Sequence, residues 1–274
     1  MPELPEVETI KRTLESLVTG KTITGVSVHW PKIVQYPKDL EEFKRLLTGQ
    51  RIRRMGRRGK FLLFYMDEVT LVSHLRMEGK YGIFPENSPA DKHTHVVFSF
   101  AGGMELRYRD VRKFGTMHVF EAGTEESRLP LSKLGPEPFS GDFSLSYFAE
   151  KLGKTKRIIK SVLLDQTVVA GIGNIYADES LYRAGIHPER PAQSLTKKEI
   201  TTLHREIIAT LGEAVEMGGT TIRSYVNSMG EIGMFQLNLN AYGREGQACK
   251  CCGSPIEKRK IAGRGTHFCP QCQV

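Results

Sequence analysis

No run of apolar residues in this 274-residue chain approaches the roughly 18–20 needed to cross a bilayer, which argues against a membrane-spanning helix. The first residues, Met1-Pro2-Glu3-Leu4-Pro5-Glu6, lack the basic and apolar regions of a signal peptide, so a cytoplasmic protein with no membrane partner is expected. No long repeat or low-complexity tract is visible. Cysteine is scarce, at five residues, and in a reducing cytosol their clustering near the C-terminal end argues against disulfides. Acidic residues are in the minority. Against 31 Asp and Glu stand 39 Lys and Arg, a net charge of +8 and a pI near 9.2, a balance that favours a polyanionic partner such as nucleic acid. The length is enough for two or three domains with cores of their own.

Val7, Ile10, Leu14, Leu17 and Val18 recur at helical spacing, and Gly20 follows as a stop. A long stretch with strand character comes next. Residues 23–28 and 60–65 alternate, 71–75 resembles a buried strand, and 96–100 with 104–108 reads as a hairpin around Ala101-Gly102-Gly103. Several short strands in a row predict a β-sandwich after the first helix. Gly135-Pro136-Glu137-Pro138 with Ser140-Gly141 marks a linker. Beyond it the pattern is helical, at about 144–152, 155–165, 174–184 and 196–217. The last segment opens on a Thr196/Glu199 capping box and ends at Gly218-Gly219. Residues 228–240 have no period and read as a loop. The predicted class is α+β and multidomain, divided at 1–134, 135–240 and 241–274.

Cys249-x2-Cys252 and Cys269-x2-Cys272 are separated by sixteen residues, inside the spacing of a four-cysteine zinc site. Each pair makes a knuckle whose turn suits Gly253 or Pro270. Four thiolates leave no open position, so one structural zinc ion is expected. Cys251 and His267 lie close enough to displace a ligand, although a two-residue gap makes the better knuckle. Arg264 lies between Gly263 and Gly265, where it would sit at a fingertip able to clamp a phosphate.

Five motifs occur in order: Pro2-Glu3-Leu4-Pro5-Glu6-Val7-Glu8-Thr9, Gly59-Lys60, Tyr108-Arg109-Asp110-Val111-Arg112-Lys113-Phe114-Gly115, Gly171-Ile172-Gly173-Asn174-Ile175-Tyr176, and the cysteine finger. The series resembles the formamidopyrimidine-DNA glycosylases of bacteria over essentially the whole chain. The resemblance implies an N-terminal helix and β-sandwich, a helix-two-turns-helix region and a zinc ribbon. It implies an enzyme that removes 8-oxoguanine and formamidopyrimidines from double-stranded DNA and nicks the strand, at damaged bases and abasic sites alike. A monomer with no obligate protein partner is expected.

Proline at position 2 permits removal of Met1 and exposes an amine. An α-amino group has a pKa of about 8, so a usable fraction is unprotonated at neutral pH. Such an amine can attack a sugar C1′, expel the base and leave an iminium, after which β- and δ-elimination follow. By resemblance Glu3 donates a proton to the opening sugar ring, Lys60 contacts a phosphate beside the lesion and helps elimination, and Arg264 is linked to δ-elimination. Glu6, one turn beyond Glu3, either faces the same pocket or serves as an ordinary partner of the helix dipole. Flipping a base costs a few kcal/mol and leaves a hole that apolar wedges and an Arg can fill; Met77, Arg112 and Phe114 match the family's void-filling residues. Asn174, after a Gly-x-Gly turn, would cap the next helix at a phosphate site. His74, His93 and Lys156 are expected phosphate contacts. His93 and His95 resemble a metal pair but have no further ligands nearby in sequence. The segment at about 219–240, with Gly230 and Gly233, matches the loop that covers the everted base. Two other readings remain: the related endonuclease VIII type, against which Leu4 and the intact Arg112-Lys113-Phe114 argue, and a non-catalytic zinc-ribbon DNA-binding protein, which would not need Pro2-Glu3.

Overall fold

A computed structural model of the chain describes residues 1–220 and 233–274. Most of the loop expected to cover an everted base, including Gly230, therefore lies outside the described residues. Among the described residues no helix is long and apolar enough to cross a membrane. The chain forms two compact units, one over Met1–Ser132 and one over Lys133–Thr220 with Met234–Val274.

The first unit runs α1 (Leu4–Val18), β1 (Ile23–Val28), β2 (Val34–Tyr36), α2 (Leu40–Leu47), β3 (Ile52–Arg58), β4 (Phe61–Met66), β5 (Val69–His74), β6 (Lys80–Pro85), β7 (Thr94–Phe100), β8 (Met104–Arg109) and β9 (Thr116–Glu121). A four-stranded sheet has the order β1-β7-β8-β6 and a five-stranded sheet the order β2-β9-β5-β4-β3. All neighbours are antiparallel except β2 and β9. Both sheets bury one shared core with Val7, Ile10 and Leu14 of α1 and Phe43 and Leu47 of α2, so the expected sandwich is present. Sequence periodicity had not indicated α2. Its N-cap is Asp39, whose carboxylate accepts from the amides of Glu41 (2.8 Å) and Glu42 (3.3 Å). Strand β3 was also missed. A register shift between Ile52 and Arg54 breaks its inward–outward alternation, and only Ile52, Met55 and Gly56 are buried.

The second unit holds α3 (Leu145–Gly153), α4 (Ile159–Leu164), α5 (Asn174–Ala184), α6 (Lys197–Glu216), β10 (Glu257–Ile261) and β11 (Arg264–Phe268). The Thr196/Glu199 capping box opens α6 as expected. Helix α4 is shorter than its predicted 155–165, because residues 155–158 pair with the backbone at 190–193 instead: Ala192 N–H donates to Arg157 (2.9 Å) and Gln193 N–H to Thr155 (3.3 Å). Two tight turns join α4 to α5. The Gln166 side chain braces them, donating to the carbonyls of Leu164 (3.1 Å) and Ile172 (2.8 Å) and accepting from Gly171 N–H (2.9 Å). The expected linker packs against these turns rather than running free, with Gly135 N–H donating to the Gln166 carbonyl at 2.8 Å. Residues 235–238 form a short 3-10 turn whose Phe235 is fully buried 5.7 Å from the Tyr176 ring, so the aperiodic stretch expected to run to 240 is ordered at this end.

The β10–β11 hairpin is held to α4 and α5 by buried polar groups. Lys160 Nζ lies 2.6 Å from Asp178 Oδ1 and 2.5 Å from Thr266 Oγ1, and His267 N–H donates to Asp178 Oδ2 at 2.9 Å. Removing one partner of such a pair strands the other's charge, a loss of roughly 3–5 kcal/mol. The Glu179 carboxylate, also buried, gathers the backbone amides of Asn240, Ala241 and Tyr242 and fixes the approach to the cysteine-rich tail.

Candidate active site and metal centre

Pro2 is buried beneath a half-exposed Met1, and Glu3 is the N-cap of α1. Glu3 and Glu6 form a reciprocal capping box in which Glu6 Oε2 accepts from Glu3 N–H at 2.8 Å. The local role of Glu6 is thus to hold Glu3 in place. On the next turn Glu8 bonds Arg57 Nε (3.1 Å), and Arg57 Nη1 donates to the Gly59 carbonyl (2.9 Å). Burial works against the Glu8 charge, yet Arg57 and then Lys11 hold its carboxyl below the usual range. This chain of bonds ties α1 to the hairpin loop of β3 and β4. That two-residue loop needs a positive φ, which Gly59 supplies at +55°. Lys60, beside it, is buried.

His74 ends β5, edge-on to Phe61 at 4.5 Å, and its Nδ1 accepts from Arg76 N–H at 2.9 Å. A neutral ring bonded in that way carries its proton on Nε2, a donor suited to a phosphate oxygen. Burial, reinforced by the Arg76 and Lys60 cations, pushes its pKa down to about 3. Between pH 3 and its ordinary value of 6.5 the folded state therefore binds fewer protons here than the unfolded chain, and stability falls as pH falls. Acidification from pH 7 to pH 5 is expected to cost about 2 kcal/mol through His74. Denaturant unfolding across that range should show the loss in the parent and a shallower slope in His74→Gln. Some slope should remain from His118, which burial and Lys38 lower to about 4. Equal slopes would contradict the assignment.

Met77, Arg112 and Phe114 come from two loops and meet. Arg112 Nη1 lies 2.8 Å from Met77 Sδ, and its guanidinium carbon lies 4.7 Å from the centre of the Phe114 ring. Met77 and Phe114 are 40 % and 50 % exposed, far more than a folded core would leave them. Between Arg112 and Phe114, Lys113 turns back over Trp30, 4.3 Å from the ring centre. Asp110, a member of the motif to which sequence reasoning assigned no role, shapes this loop. Its buried carboxylate accepts from the amides of Arg112 (3.0 Å), Phe114 (2.8 Å) and Gly115 (2.9 Å). His93, half-buried, accepts Asp110 N–H on its carbonyl at 3.0 Å. His95 Nε2 donates to the Asp110 carbonyl at 2.8 Å, so the two histidines brace a loop. Neither belongs to a metal-binding cluster among the described residues.

In the second unit Asn174 is the first residue of α5, and the N-cap is Gly173. The expected capping by Asn174 is therefore corrected. The Asn174 side chain instead donates to the Gly265 carbonyl at 2.9 Å, next to Arg264. Arg264 opens β11 beyond a turn of Ala262 and Gly263, and its side chain is exposed. Lys156 is exposed just ahead of α4.

The Sγ atoms of Cys249, Cys252, Cys269 and Cys272 lie within 4.8 Å of one another. Zinc–sulfur bonds of about 2.3 Å in a tetrahedron require sulfurs about 3.8 Å apart. Cys249–Cys272 at 3.9 Å meets that requirement, and Cys252–Cys269 at 3.4 Å is slightly closer than it. The amides of Cys251 and Cys272 point at the sulfurs of Cys249 and Cys269 (both 3.4 Å), and the Tyr182 hydroxyl lies 3.0 Å from Cys249 Sγ, so donors to the thiolates are in place. The Cys251 side chain is exposed, and the His267 ring lies against Tyr242 (4.9 Å) and outside the cluster.

Three family models match the chain: the formamidopyrimidine-DNA glycosylase N-terminal domain over residues 1–117, the H2TH domain of the same enzymes over 134–226, and a zinc finger found in FPG and IleRS over 246–274. The formamidopyrimidine-DNA glycosylase of Bacillus licheniformis is 63% identical over 273 residues, covering 100% of this chain and 99% of the relative. That of Bacillus subtilis is 57% identical over 274 residues, with the same coverage. Among solved structures, Lactococcus lactis Fpg (MutM) with DNA containing N7-benzyl-Fapy-dG is similar at a TM-score of 0.93 and 45% identity, covering 99% of each chain. The same values hold for Lactococcus lactis Fpg with abasic-site DNA. The chain thus belongs to the formamidopyrimidine-DNA glycosylase family, DNA glycosylases of base excision repair that carry a zinc finger.

Proposed function

We propose that the protein excises oxidised purines, 8-oxoguanine and ring-opened formamidopyrimidines, from double-stranded DNA through the amine of Pro2, and then nicks the strand. The observation that carries this reading is the joined Met77–Arg112–Phe114 cluster. Its exposed apolar and cationic tips suit the hole that an everted base leaves in the stack. The Lactococcus relatives, solved with Fapy-dG and abasic DNA, support the same substrate class.

The Pro2 nitrogen forms a bond to C1′ as the bond to the base breaks, and the base leaves with a proton. Glu3 gives a proton to the ring oxygen as the sugar opens to an iminium. Loss of a 2′ hydrogen then expels the 3′ phosphate, and δ-elimination expels the 5′ phosphate. Lys60, His74, His93, Lys156 and Asn174 are assigned to phosphates, and Arg264 to a phosphate and the elimination steps. Glu6 acts through Glu3. Four thiolates saturate zinc and leave no open position, so the ion's role is to hold the finger. We read 1–134, 135–240 and 241–274 as the catalytic, helix-two-turns-helix and finger parts of a monomer.

Single-turnover excision from duplexes carrying one lesion tests the substrate class. An 8-oxoguanine opposite cytosine is expected to be removed at least about a hundredfold faster than an oxidised pyrimidine, a gap of about 2.7 kcal/mol in barrier. Faster removal of the pyrimidine would move the protein to the endonuclease VIII type.

A further inference from the structure

Tyr108 and Asp110 lie at the root of the two loops that carry Met77 on one side and Arg112 and Phe114 on the other. Tyr108 is fully buried near the end of β8, its ring 5.1 Å from that of Tyr81. Its hydroxyl occupies a slot between two glycines, one from each loop. A Cβ at Gly79 would lie 2.3 Å from that oxygen and 2.6 Å from the Leu75 carbonyl, and a Cβ at Gly115 would lie 1.8 Å from it. The same hydroxyl donates to Asp110 Oδ2 at 3.4 Å. That oxygen also accepts Phe114 and Gly115 N–H, while Oδ1 accepts Arg112 N–H. The Met77 turn closes on itself through Gly79 N–H and the Leu75 carbonyl at 3.0 Å, so Gly79 marks its base. At the tips the loops meet again through Arg112 and Met77.

We propose that Tyr108 and Asp110 are positioning residues that make the two loops a single preformed wedge, ready to enter the stack without first being ordered. The inference rests on the wedge reading above. A preformed wedge avoids the entropic cost of immobilising exposed side chains on binding. The hydroxyl sets the spacing of the loop bases, since neither glycine leaves room for more than a hydrogen atom. The carboxylate sets the direction of the Arg112–Phe114 arm by gathering its amides. An asparagine at 110 would turn an N–H2 group toward amides that now find an acceptor. Phenylalanine at 108 would keep the ring and remove only the oxygen between the glycines.

The test compares two activities of full-length, zinc-loaded protein: excision of 8-oxoguanine, which needs a base driven from the stack, and nicking of a duplex with a preformed abasic site, which does not. Asp110→Asn is expected to lose excision about tenfold or more relative to abasic nicking, and Tyr108→Phe about two- to tenfold. A second readout is coupling. Met77→Ala and Phe114→Ala should be non-additive in excision in the parent and additive in either positioning variant. If Met77→Ala and Phe114→Ala excise like the parent, the wedge reading itself falls. If they are impaired while Asp110→Asn and Tyr108→Phe excise like the parent, the wedge stands and this inference is overturned. Equal loss of both activities would also overturn it, by showing a general structural role. Should Asp110→Asn fail to fold, the near-isosteric Tyr108→Phe decides alone.

Discussion

Protein that keeps Met1 is expected to lose base excision by about a thousandfold or more and to form no covalent adduct with DNA. With Met1 attached, the Pro2 nitrogen is a peptide amide whose lone pair is delocalised, and the covalent route closes while binding and the other groups remain. A lysine inserted between Met1 and Pro2, which blocks methionine removal, produces this state. Pro2→Gly is the milder case. It leaves a primary amine of similar basicity but loses the ring that fixes the direction of the lone pair, and about a hundredfold loss of single-turnover excision is expected. Parent-like excision by the Met1-retaining protein would refute the assignment of the nucleophile, whereas parent-like excision by Pro2→Gly would show that the ring is not needed to direct the amine.

Cys252→Ser is expected to bind no zinc and to lose DNA affinity by at least about tenfold, whereas Cys251→Ser should match the parent in both. Structural zinc supplies roughly 10–16 kcal/mol to small finger folds. Apart from the ion, the finger is held by the two strands β10 and β11, a small cluster around Cys249, Ile256 and Cys269, and the bonds of Thr266 and His267 to Lys160 and Asp178. Loss of the ion would release the turn that presents Arg264 and weaken the bond from Asn174 to Gly265. Zinc content measured by chelator release, with a binding titration on the same samples, checks both variants. A zinc-replete Cys252→Ser would show that Cys251 or His267 can serve as a ligand.

Parts of the chain that carry their own local signal were legible in the sequence. The first helix, the capped α6 and α5 showed their spacing and end signals, and the four zinc-site cysteines were named by spacing alone. Strands β2, β3, β6 and β9 and helix α2 were not seen. In β3 a bulge and four arginines erase the alternation, and α2 is a two-turn helix whose signal, Asp39 followed by Leu40, Phe43 and Leu47, lay within a strand-rich stretch. The candidate site divides in the same way. Pro2, Glu3 and Lys60 were reached through motif resemblance, since neither composition nor periodicity marks them. Tyr108, Asp110 and His95 received no role, because Tyr108 acts against Gly79 of a loop distant in sequence, and the bonds of Asp110 and His95 depend on a loop conformation that no residue spacing signals. Asn174 was expected to cap its own helix, and its actual partner, Gly265, is 91 positions away.

Borohydride trapping with a duplex carrying one 8-oxoguanine opposite cytosine tests the central claim most directly. The account predicts a covalent protein–DNA adduct that peptide mapping places on Pro2, now the first residue. Absence of any adduct from protein that contains zinc and binds the duplex, or an adduct mapped to Lys60, would contradict it.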